Sequence, residues 1–225
     1  MDFLYLVLTV FVIFGALILA NHFWGKDALF VIGIGSAIGA SVYNIEDYGI
    51  QIGNFIFGID SIVYTAFVFI LLFCYLKYGE KSARALLFSS MGSILLTAIL
   101  QFIASCASIG ISEDALLDLA SYLISILSIF VSMICVFKLF KIFKNNNLNV
   151  YLNLLFNILI ASIIASLIYF GLMTIISGFK ENFLVQLGAS YIAKLMSTAF
   201  SLLTYFICTK FPYKNAKNDN QNKNL

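Results

Sequence analysis

The chain has 225 residues, of which 62% are hydrophobic and 11% are charged, and its formal net charge at pH 7 is +2. Soluble domains carry about 25% charged residues, so this composition excludes a chain that folds in water over most of its length. We therefore expect a protein of the lipid bilayer, in which the position of each charge says more about function than the total.

Seven apolar runs follow one another along the chain, and most approach or exceed the roughly 18 to 20 residues that a helix needs to cross a membrane. The predicted fold class is all-α: a polytopic integral membrane helical bundle with seven transmembrane helices. Six is the alternative, in which the glycine-containing second run is re-entrant or peripheral. The runs cover residues 3–20, 28–45, 61–78, 85–111, 115–140, 150–177 and 183–209.

Basic and acidic connections alternate between these runs. Lysine and arginine mark residues 77–84, residues 138–144 and the end of the chain, whereas aspartate and glutamate mark residues 46–60 and 113–118. By the positive-inside rule the basic connections are cytoplasmic. This predicts a multi-pass protein of a prokaryotic plasma membrane with a transmembrane domain at residues 1–210 and a disordered, cytoplasmic C-terminal tail at residues 211–225.

One lysine lies inside an apolar run. Lys194 comes eleven residues after Phe183, which corresponds to roughly 17 Å along a helix and places it near the middle of the membrane. An ionisable side chain at that depth costs about 2.5 to 3.5 kcal/mol on insertion scales, so such residues usually face a bundle interior or a cavity. We expect Lys194 to do the same.

Other polar residues share the side of the helix on which Lys194 lies. Gln186, Ser190, Lys194 and Ser197 recur at intervals of three or four, with Tyr191 beside them. The pattern predicts a cavity for a small solute, with Lys194 as its central ligand and with Tyr191 and Gln186 as further substrate-binding residues. In the alternative interpretation, Lys194 bonds to carbonyl and hydroxyl groups and serves packing only.

Three amides lie within other apolar runs. Gln101 belongs to the fourth run, and Asn153 and Asn157 are four residues apart at the start of the sixth. Hydrogen bonding between membrane helices is the common role of each such residue taken alone. Together with Lys194, however, the three amides could line one polar pocket, so they complete the predicted substrate-binding set.

Two further segments each allow two interpretations. Gly35 and Gly39 are spaced for close helix packing, whereas their spacing misses the pattern of nucleotide-binding loops. The aromatic and acidic connection "YNIEDYGIQIGNFIFGID" suits a lid over the bundle, or a set of anchors at the membrane interface, which is the usual role of tyrosine near headgroups.

Catalytic and metal-binding patterns do not support an enzyme. The sequence contains no HExxH, GxSxG or Walker pattern, and its four cysteines fall within apolar runs without CxxC spacing. We expect no catalytic activity, metal, cofactor or nucleic-acid partner. Without an ATP-binding domain, any pumping must use an ion gradient, a separate energising partner, or no energy source.

Three stretches carry a family resemblance. "FVFILLFCYLKYGEKSARALLFSSMG" ends a span at Tyr78 and Gly79 and continues through a basic connection at residues 81–84. "GASYIAKLMSTAFSLLTYF" is a closing helix in which Lys194 precedes Tyr205, and "DLASYLISILSIFVSMICVFKLFK" is an Ala-Ser helix with a basic end. Together they resemble the VUT family of queuosine precursor or putative vitamin uptake transporters, as a divergent member with an extra span.

The resemblance implies uptake of a queuosine precursor of the 7-deazaguanine type, or of a vitamin-like heterocycle, through a small helical bundle. The expected partners are the lipid bilayer and this small-molecule substrate. The alternative is a non-transporting membrane subunit, either a substrate-binding component for an energising partner or an assembly factor.

Overall fold

The computed structural model describes residues 2–45, 49–52, 55–109, 112–177 and 183–211. These residues form seven α-helices and one two-stranded hairpin. The helices are α1 (Asp2–Trp24), α2 (Lys26–Ile45), α3 (Ile59–Tyr78), α4 (Glu80–Ile109), α5 (Glu113–Asn145), α6 (Val150–Ser177) and α7 (Phe183–Lys210), and the strands are β1 (Gly49–Ile52) and β2 (Phe55–Gly58). Each predicted run coincides with one helix, except that residues 110–111 lie outside the described residues. The predicted tail lies outside them too, from residue 212 onwards.

Six of the helices in the described part of the chain are long and apolar enough to cross a membrane, and α2 is the helix that does not meet this criterion. A multi-pass membrane protein built as a helical bundle is therefore confirmed. A seventh span is not confirmed, because the glycines, serines and charged first turn of α2 lower the mean hydropathy of that helix.

Neighbouring helices run in alternating directions. The first turn of α3 meets α7 near Ser190 and its last turns meet Tyr205, so these two helices are parallel. In contrast, α5 and α6 are antiparallel, since Ser121 contacts Met173 at one end and Phe143 contacts Phe156 at the other. The odd-numbered helices thus begin at one end of the bundle, called here the acidic end because Asp60 and Asp118 lie there, and finish at the opposite, basic end.

Helix α3 forms the centre of the bundle. Every residue from Ser61 to Tyr75 is buried, and the helix packs against α1, α2, α4, α6 and α7. A helix that is apolar on all sides is the expected occupant of such a position. At the basic end, Lys77 Nζ donates a hydrogen bond to Asn21 Oδ1 at 3.0 Å and so ties α3 to α1.

The described residues also include one short hairpin beside the seven helices, so the predicted helical bundle carries a small strand element. Strands β1 and β2 pair in antiparallel register from Gly49 with Gly58 to Ile52 with Phe55. The hairpin packs against α1 and α7, and Phe57 is buried. It lies where a lid or a set of anchors was predicted. Residues 46–48 and 53–54 of that connection lie outside the described residues.

Gly35, one of the two α2 glycines predicted to pack closely, does not do so. A Cβ on Gly35 would meet nothing within 4 Å, so this residue does not mediate a close helix contact. Gly33 does, because a Cβ there would lie 3.0 Å from a Leu86 methyl group and 3.2 Å from Ile70. The close approach therefore joins α2 to α3 and α4 at a residue that lies about 3 Å nearer the basic end than Gly35 and on the opposite side of the helix.

Substitution of Gly33 should therefore destabilise the bundle. We expect Gly33→Ile to lower the free energy of unfolding by about 1 to 3 kcal/mol, the usual effect of overpacking. Thermal unfolding in detergent micelles measures it, with Gly35→Ile as the matched control on the same helix. Equal losses for the two variants would contradict the assigned contact.

Candidate functional site

Lys194 is buried inside the bundle. Its side chain is 6% exposed, and its Nζ donates a hydrogen bond to Ser166 Oγ of α6 at 2.5 Å. The ammonium also lies 5.6 Å from the ring centroid of Tyr64 and 5.8 Å from that of Tyr191, which are distances at which aromatic rings attract cations. The charge is therefore surrounded by groups that stabilise it.

A small cavity of about 60 Å³ adjoins the Lys194 ammonium. Five helices supply its walls: α2, α3, α5, α6 and α7. Its polar lining consists of one cation, one carboxylate and several hydroxyl groups, namely Lys194, Asp60, Ser41, Tyr64, Ser125, Ser128, Ser166 and Tyr169. The arrangement can hold a few water molecules or one end of a small polar solute.

Asp60 is the functional candidate that the sequence did not reveal. It lies in the first turn of α3, lines the cavity, and its carboxylate attracts the Lys194 ammonium electrostatically. Ser61 donates a hydrogen bond to Asp60 Oδ2 at 3.3 Å and pairs with Ser190 of α7 at 2.7 Å. A Cβ at position 58 would come within 2.0 Å of Asp60 Oδ1, so Gly58 leaves room for the carboxylate.

Tyr64 fixes one wall of the cavity. Its hydroxyl group lies 3.1 Å from Ser132 Oγ of α5 and donates to the Ala161 carbonyl of α6 at 3.3 Å. These two contacts hold the phenol ring between helices while its face stays near Lys194. The position of Tyr64 thus depends on three helices at once.

Ser125 presents a hydroxyl group that a ligand could use. The residue is 6% exposed, lines the cavity, and its Oγ has no hydrogen-bond partner among the described residues. Ser128, one turn further along α5, differs because its hydroxyl donates to the Ile124 carbonyl at 2.7 Å. Since a buried hydroxyl normally has a partner, Ser125 marks a place for water or solute.

The structure brings together only part of the predicted substrate-binding set. Lys194 and Tyr191 lie close to each other. Gln186 belongs to α7, but its side chain lies outside the described residues. Gln101 lies away from Lys194 and lines a different cavity, between α4 and α5.

Asn153 and Asn157 also lie away from Lys194. Asn157 Nδ2 donates to Asn153 Oδ1 at 2.6 Å, and Asn153 Nδ2 donates to the Phe140 carbonyl of α5 at 3.3 Å. This hydrogen-bond network ties α5 to α6 toward the basic end. Neither asparagine is among the residues that line the Lys194 cavity.

Comparisons with known proteins give no relationship: no family model matches the chain, and neither a curated protein nor a solved structure is significantly similar to it.

The asparagine network should contribute to stability rather than to solute binding. Asn153→Leu removes one interhelical hydrogen bond, which is worth about 0.6 kcal/mol in membrane bundles. We expect a slightly lower melting temperature in micelles and unchanged solute binding by the purified variant. A loss of binding as large as that caused by a change at Lys194 would instead place Asn153 at the site.

The attraction between Asp60 and Lys194 should appear as energetic coupling. Asp60→Asn leaves a buried cation without its carboxylate, so the variant should unfold at a lower temperature. Adding Lys194→Met should restore part of the loss, with a coupling energy of about 0.5 to 3 kcal/mol. Lys210→Met, at the exposed end of the same helix, is the control, and its effect should add to that of Asp60→Asn. Additive effects at 60 and 194 would show that the two charges do not interact.

Proposed function

We propose that the protein is a transporter of a prokaryotic plasma membrane that takes up a small solute through the cavity around Lys194. The observation that carries the proposal is a buried cation that faces a cavity together with a carboxylate and an unpartnered hydroxyl group. Charges within membrane spans typically mark solute or ion pathways, because lipid gives them no compensation.

A packing role alone accounts poorly for this arrangement. Lys194 already has Ser166 and two aromatic rings beside it, so helix packing would not require a cavity in addition. Helix packing would also favour filling the space next to Ser125, since an unpartnered hydroxyl lowers stability. A cavity with opposite charges on its walls is the expected feature of a site that binds and releases a polar solute.

We include α2 among the spans in this proposal. Its 20 residues extend about 30 Å, the thickness of the hydrocarbon core. It also packs between α3 and α4 and supplies Ala40 and Ser41 to the cavity. With seven spans, the basic end and the C-terminus are cytoplasmic and the acidic end faces outward, as the positive-inside rule requires.

Transport would need the helices to move. A cavity of about 60 Å³ has room for a few water molecules, which is less than a bicyclic heterocycle needs. The bundle would therefore open at the acidic end to admit a solute and then at the basic end to release it, as in alternating access. The hydrogen bond between Lys77 and Asn21 joins helices at the basic end and would have to break in the second step.

For the solute itself we propose a small planar heterocycle, of which a 7-deazaguanine-type queuosine precursor is the candidate that the family resemblance suggests. The aromatic lining residues Tyr64, Tyr169 and Phe170 suit a planar ring. The Lys194 ammonium can donate to a ring carbonyl, and Asp60 can accept from a ring or exocyclic N–H.

A non-transporting membrane subunit is the second candidate, since a binding cavity also suits a substrate-binding component that works with an energising partner. Proteoliposomes that contain only this protein distinguish the two. Accumulation or exchange of a labelled 7-deazaguanine in them supports a carrier. Uptake that requires a partner ATPase supports the subunit instead.

Lys194→Met keeps the length of the side chain and removes its charge. Because a hydrogen bond to a charged group is worth about 1.5 to 3 kcal/mol, we expect solute binding to weaken roughly ten- to hundredfold. Binding of 7-deazaguanine compounds and vitamin-like heterocycles to the purified protein measures the effect. Lys210→Met is the matched control and should bind normally. Unchanged uptake by Lys194→Met in a protein that inserts correctly would refute the proposed site.

A further inference from the structure

A second and larger cavity, of about 260 Å³, lies between α4 and α5 at the acidic end. Its polar lining comprises Gln101 and Ser105 of α4 and Asp118 and Tyr122 of α5. The side chains of Gln101 and Asp118 are exposed. This cavity is therefore larger than the Lys194 cavity, and two of its lining residues reach the surface of the bundle.

Residues along one face of α5 line first the larger cavity and then the Lys194 cavity. Asp118, Tyr122, Ser125 and Ile129 follow one another at intervals of four, three and four residues, which places them on the same side of the helix. The first two line the larger cavity and the last two line the Lys194 cavity. From Asp118 to Ser125 the helix rises only about 10 Å.

Tyr122 lies at the boundary between the two cavities. Its side chain is 1% exposed, and its hydroxyl donates a hydrogen bond to Gln101 Oε1. Gln101 lines the same cavity, so this bond ties the phenol group of α5 to the wall that α4 forms. Tyr122 is thus the residue of this α5 face that lines the larger cavity closest in sequence to Ser125.

We propose that the larger cavity is an outer vestibule, which binds the solute before it reaches Lys194, and that Tyr122 and Gln101 form the gate between the two sites. The proposal rests on the transport function proposed above. The proposal gives Gln101 a role in the solute pathway at a distance from Lys194. It also provides an entry site that is large enough for the solute, whereas the inner cavity is too small for it in this state.

The charges along this route select the solute class. Asp118 gives the vestibule a negative charge, which repels anions. The inner cavity offers Lys194 and Asp60, whose charges are opposite. A solute that passes both sites should therefore not be an anion, and it should bear N–H donors as well as a carbonyl acceptor.

Cysteine accessibility tests the vestibule without knowledge of the solute. The native cysteines, among them Cys106 beside Ser105, are first replaced, and the protein is placed in nanodiscs so that reagents reach both membrane faces. Ser105→Cys then reports on the vestibule and Ser125→Cys on the inner cavity. The probe is 2-(trimethylammonium)ethyl methanethiosulfonate, a charged reagent that stays in water.

Opening the gate should change only the inner position. We expect Tyr122→Ala to accelerate modification of Ser125→Cys by about tenfold or more, which corresponds to a barrier lowered by about 1.4 kcal/mol. Modification of Ser105→Cys should change by less than about twofold under the same relation. Gln101→Leu, which keeps the tyrosine ring but removes its acceptor, is a milder second variant for the case that Tyr122→Ala does not fold.

The charge of the vestibule gives an independent readout. Ser105→Cys should react faster with the cationic probe than with 2-sulfonatoethyl methanethiosulfonate, and Asp118→Asn should bring the two rates together. If neither Tyr122→Ala nor Gln101→Leu changes the modification rate of Ser125→Cys, the proposed gate is refuted. A Ser105→Cys thiol that reacts only with lipid-soluble N-ethylmaleimide would show that lipid fills the larger cavity, and would overturn the vestibule.

These outcomes are separable from the failure of the carrier proposal. If Lys194→Met retains uptake while labelling at Ser125→Cys still depends on Tyr122, the protein has an aqueous route that does not depend on Lys194. If Lys194→Met loses uptake while labelling at Ser125→Cys does not depend on Tyr122 or Gln101, the inner site is supported and the vestibule is refuted.

Discussion

The burial of the Lys194 ammonium is the constraint on which the rest of the structure depends. A cation removed from water inside a membrane is tolerated only when nearby groups replace its hydration. Here a hydroxyl of α6 and two aromatic rings take that role, and a carboxylate of α3 lines the same cavity. These groups come from different helices, so the position of one ammonium fixes how α3, α6 and α7 approach each other.

The central position of α3 follows from the same constraint. Asp60, Tyr64 and the hydroxyl of Ser61 all belong to its first two turns and all face the region around Lys194. The remainder of the helix to Tyr75 is buried and mostly apolar. The α3 residues that line the Lys194 cavity thus lie toward the acidic end, while rings such as Tyr75 against Phe140 pack toward the basic end. The bundle is asymmetric along its axis as a result.

The sequence predicted those features that depend on local signals. The apolar runs predicted the helices, and the position of Lys194 within such a run predicted that its side chain is buried. Asp60 could not be found in this way, because it lies 134 positions earlier at the start of a run and has the appearance of a loop charge. For Asn153 and Asn157 the spacing was evident, but the direction in which they face depends on packing. The hairpin did leave a signal: "GIQIGNFIFG" has short runs rich in isoleucine and phenylalanine on both sides of a Gly-Asn pair.

Serine allows polar groups and close packing to coexist in α5. Ser121, Ser125, Ser128 and Ser132 recur at intervals of four, three and four residues, and all four are buried. A serine is small enough to let helices approach, and it can bond to its own helix when no partner is present. Ser128 and Ser132 do so, whereas Ser125 does not. Ser125 lines the Lys194 cavity, and there a passing solute would find a hydrogen bond without an added charge in the membrane.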